Sequence, residues 1–297
     1  MSAVATDPRA AASPPPADGA PRKRRDLRKR RLVRTGLLAI VVAYVGVLLL
    51  LPLVGIIWTA LKPGWHVIRE TFTATDVRHA LLLTAIIGVI TVAVTTVFGV
   101  IVAWVLVRQR FRGRGLLNAM VDLPFALSPV TVGVAAVLLF GRGGWFAPWF
   151  DARGIQIMFA LPSMILVTIF ISIPFVIREV QPVLEEVGVD EEDAARTLGA
   201  SVWQSFRKVT IPNIRWGLFY GVALSAARAI GEIGAVLIVS GGIQGKTETA
   251  TIYIFRAVEE RQTASAYVVA LTLAAVSIVL LVGIETAKRR MDKERAG

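Results

Sequence analysis

Six stretches of the sequence run for about 20 residues or more with almost no charge, the length an α-helix needs to cross the hydrocarbon core of a bilayer. They lie at residues 36–61, 80–107, 116–140, 158–177, 214–240 and 266–287. The chain predicted from them is all-α, a polytopic membrane helix bundle with six transmembrane helices. Composition agrees. A chain that is 55% hydrophobic, with a mean hydropathy of +0.64, is too apolar for an ordinary soluble domain. The first run is too long for the apolar segment of a signal peptide, so it reads as an uncleaved span.

Net charge is +12, which taken alone could suggest nucleic acid. Position changes that reading. With the N-terminus in the cytoplasm, most of the 33 Lys and Arg fall on inner segments. These are Arg9, the run RKRRDLRKRRLVR, Arg108, Arg110, Arg112, Arg114, Arg178, Arg196, Arg207, Lys208, Arg215 and the five cations that follow residue 287. The outer connections hold only Lys62, Arg69, Arg78, Arg142, Arg153, Lys246, Arg256 and Arg261. Positive charge accumulates on cytoplasmic loops. Both termini are therefore expected inside, in the cell (cytoplasmic) membrane, and the charge is a topology signal with no nucleic-acid partner implied. Residues 1–35 read as a disordered basic tail, 36–79 as the first span with its outer loop, and 288–297 as a second cytoplasmic tail.

This orientation puts the longest internal cytoplasmic connection between the fourth and fifth spans. It reads EEDAARTLGASVWQSFRKVTIPN, residues 191–213. Asp190 can cap a helix whose first turn holds Glu191, Glu192 and Asp193, where carboxylates suit the positive end of the dipole. Gly199 is a C-terminal stop. Ser201 and Gln204 form a capping-box pattern for a second short helix, which Pro212 is expected to end. Ala194 and Ala195 permit close approach of a partner, and Leu198, Trp203, Phe206 and Val209 offer apolar contact. An amphipathic helix lying on lipid would use the same residues. The spacing also suggests a helix-turn-helix, but two spans pin the segment and leave no room for a separate DNA-binding domain.

The order Asp193-Ala194-Ala195, three residues, Gly199, nine residues, Val209-Thr210-Ile211-Pro212 resembles the EAA loop of binding-protein-dependent ABC importer permeases. The segment PNIRWGLFYGVALSAARAIGEIGAVLIVSGGIQGKTET that follows resembles the sulfate/thiosulfate permease subunits of the CysW type, with molybdate permeases as near relatives. The likeness covers residues 80–287, the expected type I ABC importer permease domain. It departs from the family pattern at Asp193 (usually Glu), at Ile233 (often Phe) and in TETATIYI, which lacks a Pro. The resemblance implies a chain with no active site and no cofactor. Its implied partners are a second, related permease subunit, two cytoplasmic ATP-binding subunits, an extracytoplasmic sulfate-binding protein and membrane lipid. It also implies that the residues around Asp193 dock an ATPase, so that the polar stretch carries force.

Two charges interrupt the fifth span. Arg228 and Glu232 are spaced i, i+4 and can pair. At about 100° per residue, Gly217, Gly221, Ser225, Arg228, Glu232 and Ala235 share one narrow arc. Gly217 and Gly221 also make a close-packing GxxxG pattern. This face is expected to look into the bundle or onto a partner subunit. The charges either fix a helix contact or line the path of an anion, since intramembrane charge is costly without a role. In the third span Asp122 opens DLPFALSP, where Pro124 and Pro129 each remove a donor and can kink the helix; packing and path-lining both fit.

Other motifs carry less. GGIQGKT at Gly241 is one residue short of a phosphate loop and follows a helix. His66 and His79 read as outer-loop residues. Trp145, Phe146, Trp149 and Phe150 read as an interfacial aromatic belt. No metal site or hydrolase motif stands out. An ion-coupled transporter using Glu232 and Asp122 would be supported by inverted repeats, and none is visible.

Overall fold

The computed structural model describes residues 20–296, and they are helical throughout apart from turns and loops. The first 19 residues, the larger part of the expected tail, lie outside the described residues. The chain divides into two compact units after Gly55. The first holds most of α1 (Ala20–Leu61), a helix that runs from the basic segment through the first apolar stretch.

The second unit begins with α2 (Trp65–Thr73) and α3 (Thr75–Arg108). His66 lies on α2 and His79 on α3, so neither is in a loop as expected. Next come α4 (Arg114–Ala126), α5 (Pro129–Phe140), the short α6 (Ala147–Asp151) and α7 (Leu161–Val187). The connection that follows holds α8 (Asp190–Thr197) and α9 (Val202–Ser205). A π-helical turn at Phe206–Thr210 leads into α10 (Ile211–Ile230). The unit ends with α11 (Gly234–Ser240), α12 (Ala250–Glu259) and α13 (Thr263–Ala296).

Among the described residues, four helical segments are long and apolar enough to cross a membrane: Arg34–Leu61, Thr75–Arg108, Leu161–Val187 and Thr263–Gly283. The two remaining apolar stretches are each broken. The predicted third span divides into α4 and α5 with a bend of 112°. Its break is at Leu127–Ser128, both extended in backbone. Pro129 causes it: a residue preceding proline is pushed out of the α region, and proline itself is at home at the first helical position. Pro124, expected to kink the span, is accommodated inside α4 and buried. The predicted fifth span divides into α10 and α11 with a bend of 52°. The described residues therefore hold four candidate spans, or up to six if each bent pair counts as one.

The core is a packing of α3, α7 and α10 on one another. Its apolar layer runs from Val100, Ala103 and Leu106 of α3 through Val176, Val180 and Leu184 of α7 to Ile214 of α10. Glycine makes the approach close. A Cβ at Gly99 would lie 2.7 Å from the side chain of Val176. One at Gly217 would lie 2.5 Å from the Glu179 carbonyl oxygen, and one at Gly221 2.9 Å from the Val176 Cα. The predicted GxxxG face thus packs within the bundle, against α7 of the same chain. A second layer joins α5, α7 and α11 through Val132, Met164, Val167, Val236 and Val239. A third joins Val77 and Ala80 of α3 to Tyr253 of α12 and Val269 of α13.

Candidate functional site

The polar connection folds as a clamp and a display. α8 begins after Val189, so Asp190 is the first helical residue and not the cap. All four acids from Asp190 to Asp193 occupy the first turn. They meet the unpaired amides and positive end of the dipole there. Gly199, at φ +88°, closes the helix. Its N–H donates to the Arg196 carbonyl at 2.9 Å and the Ala200 N–H to that of Ala195 at 3.0 Å, as a glycine-terminated helix end requires. Ser201 and Gln204 form the predicted capping box, with Ser201 N–H donating to Gln204 Oε1 at 2.8 Å and Gln204 N–H to Ser201 Oγ at 3.2 Å.

Pro212 does not end this helix. The chain is helical without a gap from Val202 to Ile230. One turn widens to the π form just before the proline, with Ile211 N–H donating to the Phe206 carbonyl. That wider turn absorbs the donor and the space that proline denies an α-helix.

Of the residues expected to dock a partner, Asp193, Ala194, Leu198, Gly199, Trp203 and Pro212 are exposed, whereas Ala195 and Phe206 are half-buried. Leu198 is 89% exposed, and Val202 and Trp203 are exposed beside it. Trp203 stacks on Phe206 at 5.8 Å, and Phe206 sits edge-on to Trp104 of α3 at 6.2 Å. Asp193 reaches Arg196 at 3.4 Å.

Glu192 behaves differently, and sequence reasoning saw in it only one acid of the first turn. It is the buried residue of α8. Its Oε1 accepts from Nε and Nη2 of Arg108, both at 3.1 Å, and from Thr210 Oγ1 at 3.0 Å. Arg108, counted in the sequence only as a topology charge, also donates to the carbonyls of Leu184 and Gly188 at the end of α7.

The charged pair of the fifth stretch sits at its break. Arg228 is in the last turn of α10 and Glu232 follows Gly231, between the two helices. Glu232 Oε2 is 2.7 Å from Arg228 Nη1, with side chains 2% and 29% exposed respectively. Glu232 Oε1 accepts from Ala235 N–H at 2.9 Å, inside the first turn of α11. The Thr251 hydroxyl of α12 donates to the Glu232 carbonyl at 2.8 Å. The Arg228–Glu232 contact is an ion pair without hydrogen-bond alignment, and Oε2 has no aligned donor. The remaining donors of Arg228 have no acceptor among the described residues. Ser225 pairs with Thr95 of α3 at 2.9 Å. Asp122 is not with this pair. It is held two-pronged by Arg178 of α7, Nη2–Oδ2 at 2.6 Å and Nε–Oδ1 at 2.9 Å.

The glycine-rich segment after α11 is a closed turn. Thr247 Oγ1 donates to the Ser240 carbonyl and accepts from Ile243 N–H, while Gly242 N–H donates to Ser240 Oγ. The amides of Gly242, Ile243, Lys246, Thr247 and Glu248 are all used internally. Glu248 beyond it is buried and ion-paired two-pronged with Arg256, 2.6 Å at the shorter contact. Hydrogen bonding to Glu248 first, and then to Glu260, holds the Arg256 guanidinium above its ordinary pKa.

The fold is an all-helical bundle with two broken helix pairs and short exposed helices between two of its candidate spans. The family described as the binding-protein-dependent transport system inner membrane component matches residues 95–293, and the chain belongs to that family. It is a multi-pass protein of the inner membrane and the non-catalytic component of its transport system. It is 45% identical over 271 residues to the sulfate transport system permease protein CysW of Synechocystis sp., covering 91% of this chain and 98% of that one. The sulfate transport system permease protein CysT of Escherichia coli K12 is 38% identical over 254 residues, covering 86% of this chain and 92% of the relative. Among solved structures, a bacterial alginate ABC transporter in complex with its periplasmic protein has the same fold. Its TM-score is 0.73 at 16% identity, over 90% of this chain and 97% of that one.

Proposed function

We propose that this chain is the membrane-spanning permease subunit of an ATP-driven importer of sulfate, with thiosulfate as a further oxyanion. The observation that carries the proposal is near-full-length identity of 45% to a sulfate permease. Residues 80–287 are the proposed permease domain. Both termini lie in the cytoplasm, and the surface of Asp193, Ala194, Ala195, Leu198, Gly199, Trp203, Phe206 and Pro212 faces it. There the surface docks one of two ATP-binding subunits. A second permease of related sequence completes the membrane unit, a role supported by the likeness to a CysT relative. A sulfate-binding protein delivers the anion from the other side.

ATP-driven closure of the ATPase pair draws the two α8 helices together and turns the spans from inward- to outward-facing. Arg228, with donors left over from its pairing with Glu232, gives a dianion a stopping point at the α10–α11 break. A path binds weakly enough to release, and the half-neutralised guanidinium suits that. Gly217, Gly221 and Ser225 set the helix packing behind it, with Asp122, Pro124 and Pro129 shaping the neighbouring break.

The test is uptake of radiolabelled sulfate in cells with and without the chain, in a host lacking other sulfate importers, with molybdate as competitor. Loss of uptake on deletion, with poor competition by molybdate, is the expected result. Unchanged sulfate uptake would overturn the substrate assignment.

A further inference from the structure

We infer that Arg108 is a positioning residue that fastens α8 to the ends of α3 and α7, so that a displacement of α8 moves those two helices. The inference rests on the reading of α8 as the ATPase-docking helix and adds the path by which its motion enters the bundle.

The contacts that hold α8 are few. Glycines flank it at positive φ: Gly188 at +68° before it and Gly199 at +88° after it. Such positions are natural hinges, because only glycine turns freely there. Every other residue of the helix is exposed or half-buried, Ala195 included, and Glu192 alone is buried. A push on α8 would therefore bend the chain at its two glycines unless a side chain ties the helix down.

Glu192 is that tie, and Arg108 is what it is tied to. Arg108 is the last residue of α3, and the two side chains are 7% and 5% exposed. The guanidinium fork joins three elements at once. Nε and Nη2 hold Glu192 of α8 at 3.1 Å. Nη1 donates to the Leu184 carbonyl at 3.0 Å, and Nη2 donates to the Gly188 carbonyl at 2.5 Å. Those carbonyls lie at the C-terminal end of α7, where acceptors lack helical partners and a cation is favoured. Thr210 of the π-helical turn closes the set at 3.0 Å. A buried ion pair is stabilised by further hydrogen bonds to its polar atoms, and here all three guanidinium nitrogens of Arg108 and Oε1 of Glu192 are hydrogen-bonded. The other polar tie, Asn213 to Glu191 at 2.5 Å, is exposed to solvent. The Glu192–Arg196 contact at 4.0 Å stays within α8 and ties it to nothing else.

The planar fork is needed because lysine cannot serve a carboxylate and two diverging carbonyls together. Removing the tie should leave the outer surface of α8, with Leu198 and Trp203, able to bind its partner, while motion is lost at the glycines.

The experiment uses the complete importer in proteoliposomes with its binding protein, reading sulfate imported per ATP hydrolysed and the ATPase retained per permease. Glu192→Ala and Arg108→Lys are expected to retain the ATPase and to lower sulfate per ATP by about tenfold, the scale of a coupling contact. The chain contains no cysteine, so Arg108→Cys with Glu192→Cys gives one addressable pair. A short bifunctional thiol reagent added to the assembled, uncoupled double variant is expected to restore the ratio in the same sample. Wild-type ratios in the single variants would overturn the inference. So would loss of the ATPase from the variants, or a cross-link that leaves the ratio low, either of which would make Arg108 a folding residue only. A wild-type chain that retains no ATPase would overturn the docking reading itself, and the inference with it.

Discussion

Gly217→Ala tests the helix contact on which the bundle is built. The added Cβ would sit 2.5 Å from the Glu179 carbonyl oxygen and 2.8 Å from Val183 Cγ2. Ordinary non-bonded contacts lie near 3.5–4.0 Å, so α10 and α7 must part by about 1 Å. Overpacking of this kind costs roughly 1–3 kcal/mol, against a gain of about 0.5–1 kcal/mol for alanine over glycine inside a helix. The net expectation is a loss of about 0.5–2 kcal/mol, a factor of roughly 2–30 in the folded ratio. Gly88→Ala is the control, since its Cβ would meet only Ile230 at an ordinary 3.8 Å; it should be neutral or slightly stabilising. The assay is reversible unfolding in mixed detergent micelles. Adding Val183→Ala should relieve little of the loss, because the closer obstacle is a backbone oxygen. Stability of Gly217→Ala equal to that of Gly88→Ala, or full rescue by Val183→Ala, would refute the close packing of α7 and α10.

Three further outcomes follow from the same geometry. Leu198→Ser, at a position 89% exposed, should change stability by no more than about 0.5 kcal/mol, yet reduce ATPase co-purification; undiminished co-purification would remove Leu198 from the docking surface. Glu248→Ala leaves Arg256 with the solvent-exposed Glu260 as its remaining carboxylate, 2.8 Å away, and should destabilise by about 1–3 kcal/mol, read as a fall in melting temperature, with Glu248→Ala/Arg256→Ala recovering part of it. Arg228→Ala should abolish sulfate uptake while the complex still assembles; a failure of assembly would assign Arg228 to packing, and normal uptake would exclude it from both roles.

Much of the architecture was legible in the sequence because it rests on local rules. Apolar length alone finds the four unbroken spans. Gly199 and the Ser201–Gln204 pair specify helix ends through their own backbone and side-chain bonds, and the small-residue stripe of Gly217 and Gly221 announces a close helix contact. What was not legible depends on where the chain is broken and on partners far apart in sequence. Pro129 reads as a kink within one span, whereas it starts a separate helix, α5, that packs against α11. Pro212 reads as a stop, but the widened turn at Phe206–Thr210 lets the helix continue. Glu232 reads as an i, i+4 partner on one helix, whereas Gly231 ends that helix and frees the carboxylate to accept from Ala235 as well. Arg108 and Glu192 are 84 residues apart, and nothing in the local pattern of either marks it for burial.

Whether this chain moves sulfate when ATP is hydrolysed by subunits docked on α8 is settled by sulfate accumulation in proteoliposomes containing the chain, its partner permease and the two ATPases, with binding protein added on one side and ATP on the other. The expected result is accumulation that requires ATP and disappears when the chain is omitted. Accumulation without ATP, driven by an ion gradient, or ATP-dependent accumulation that persists without this chain, would contradict it.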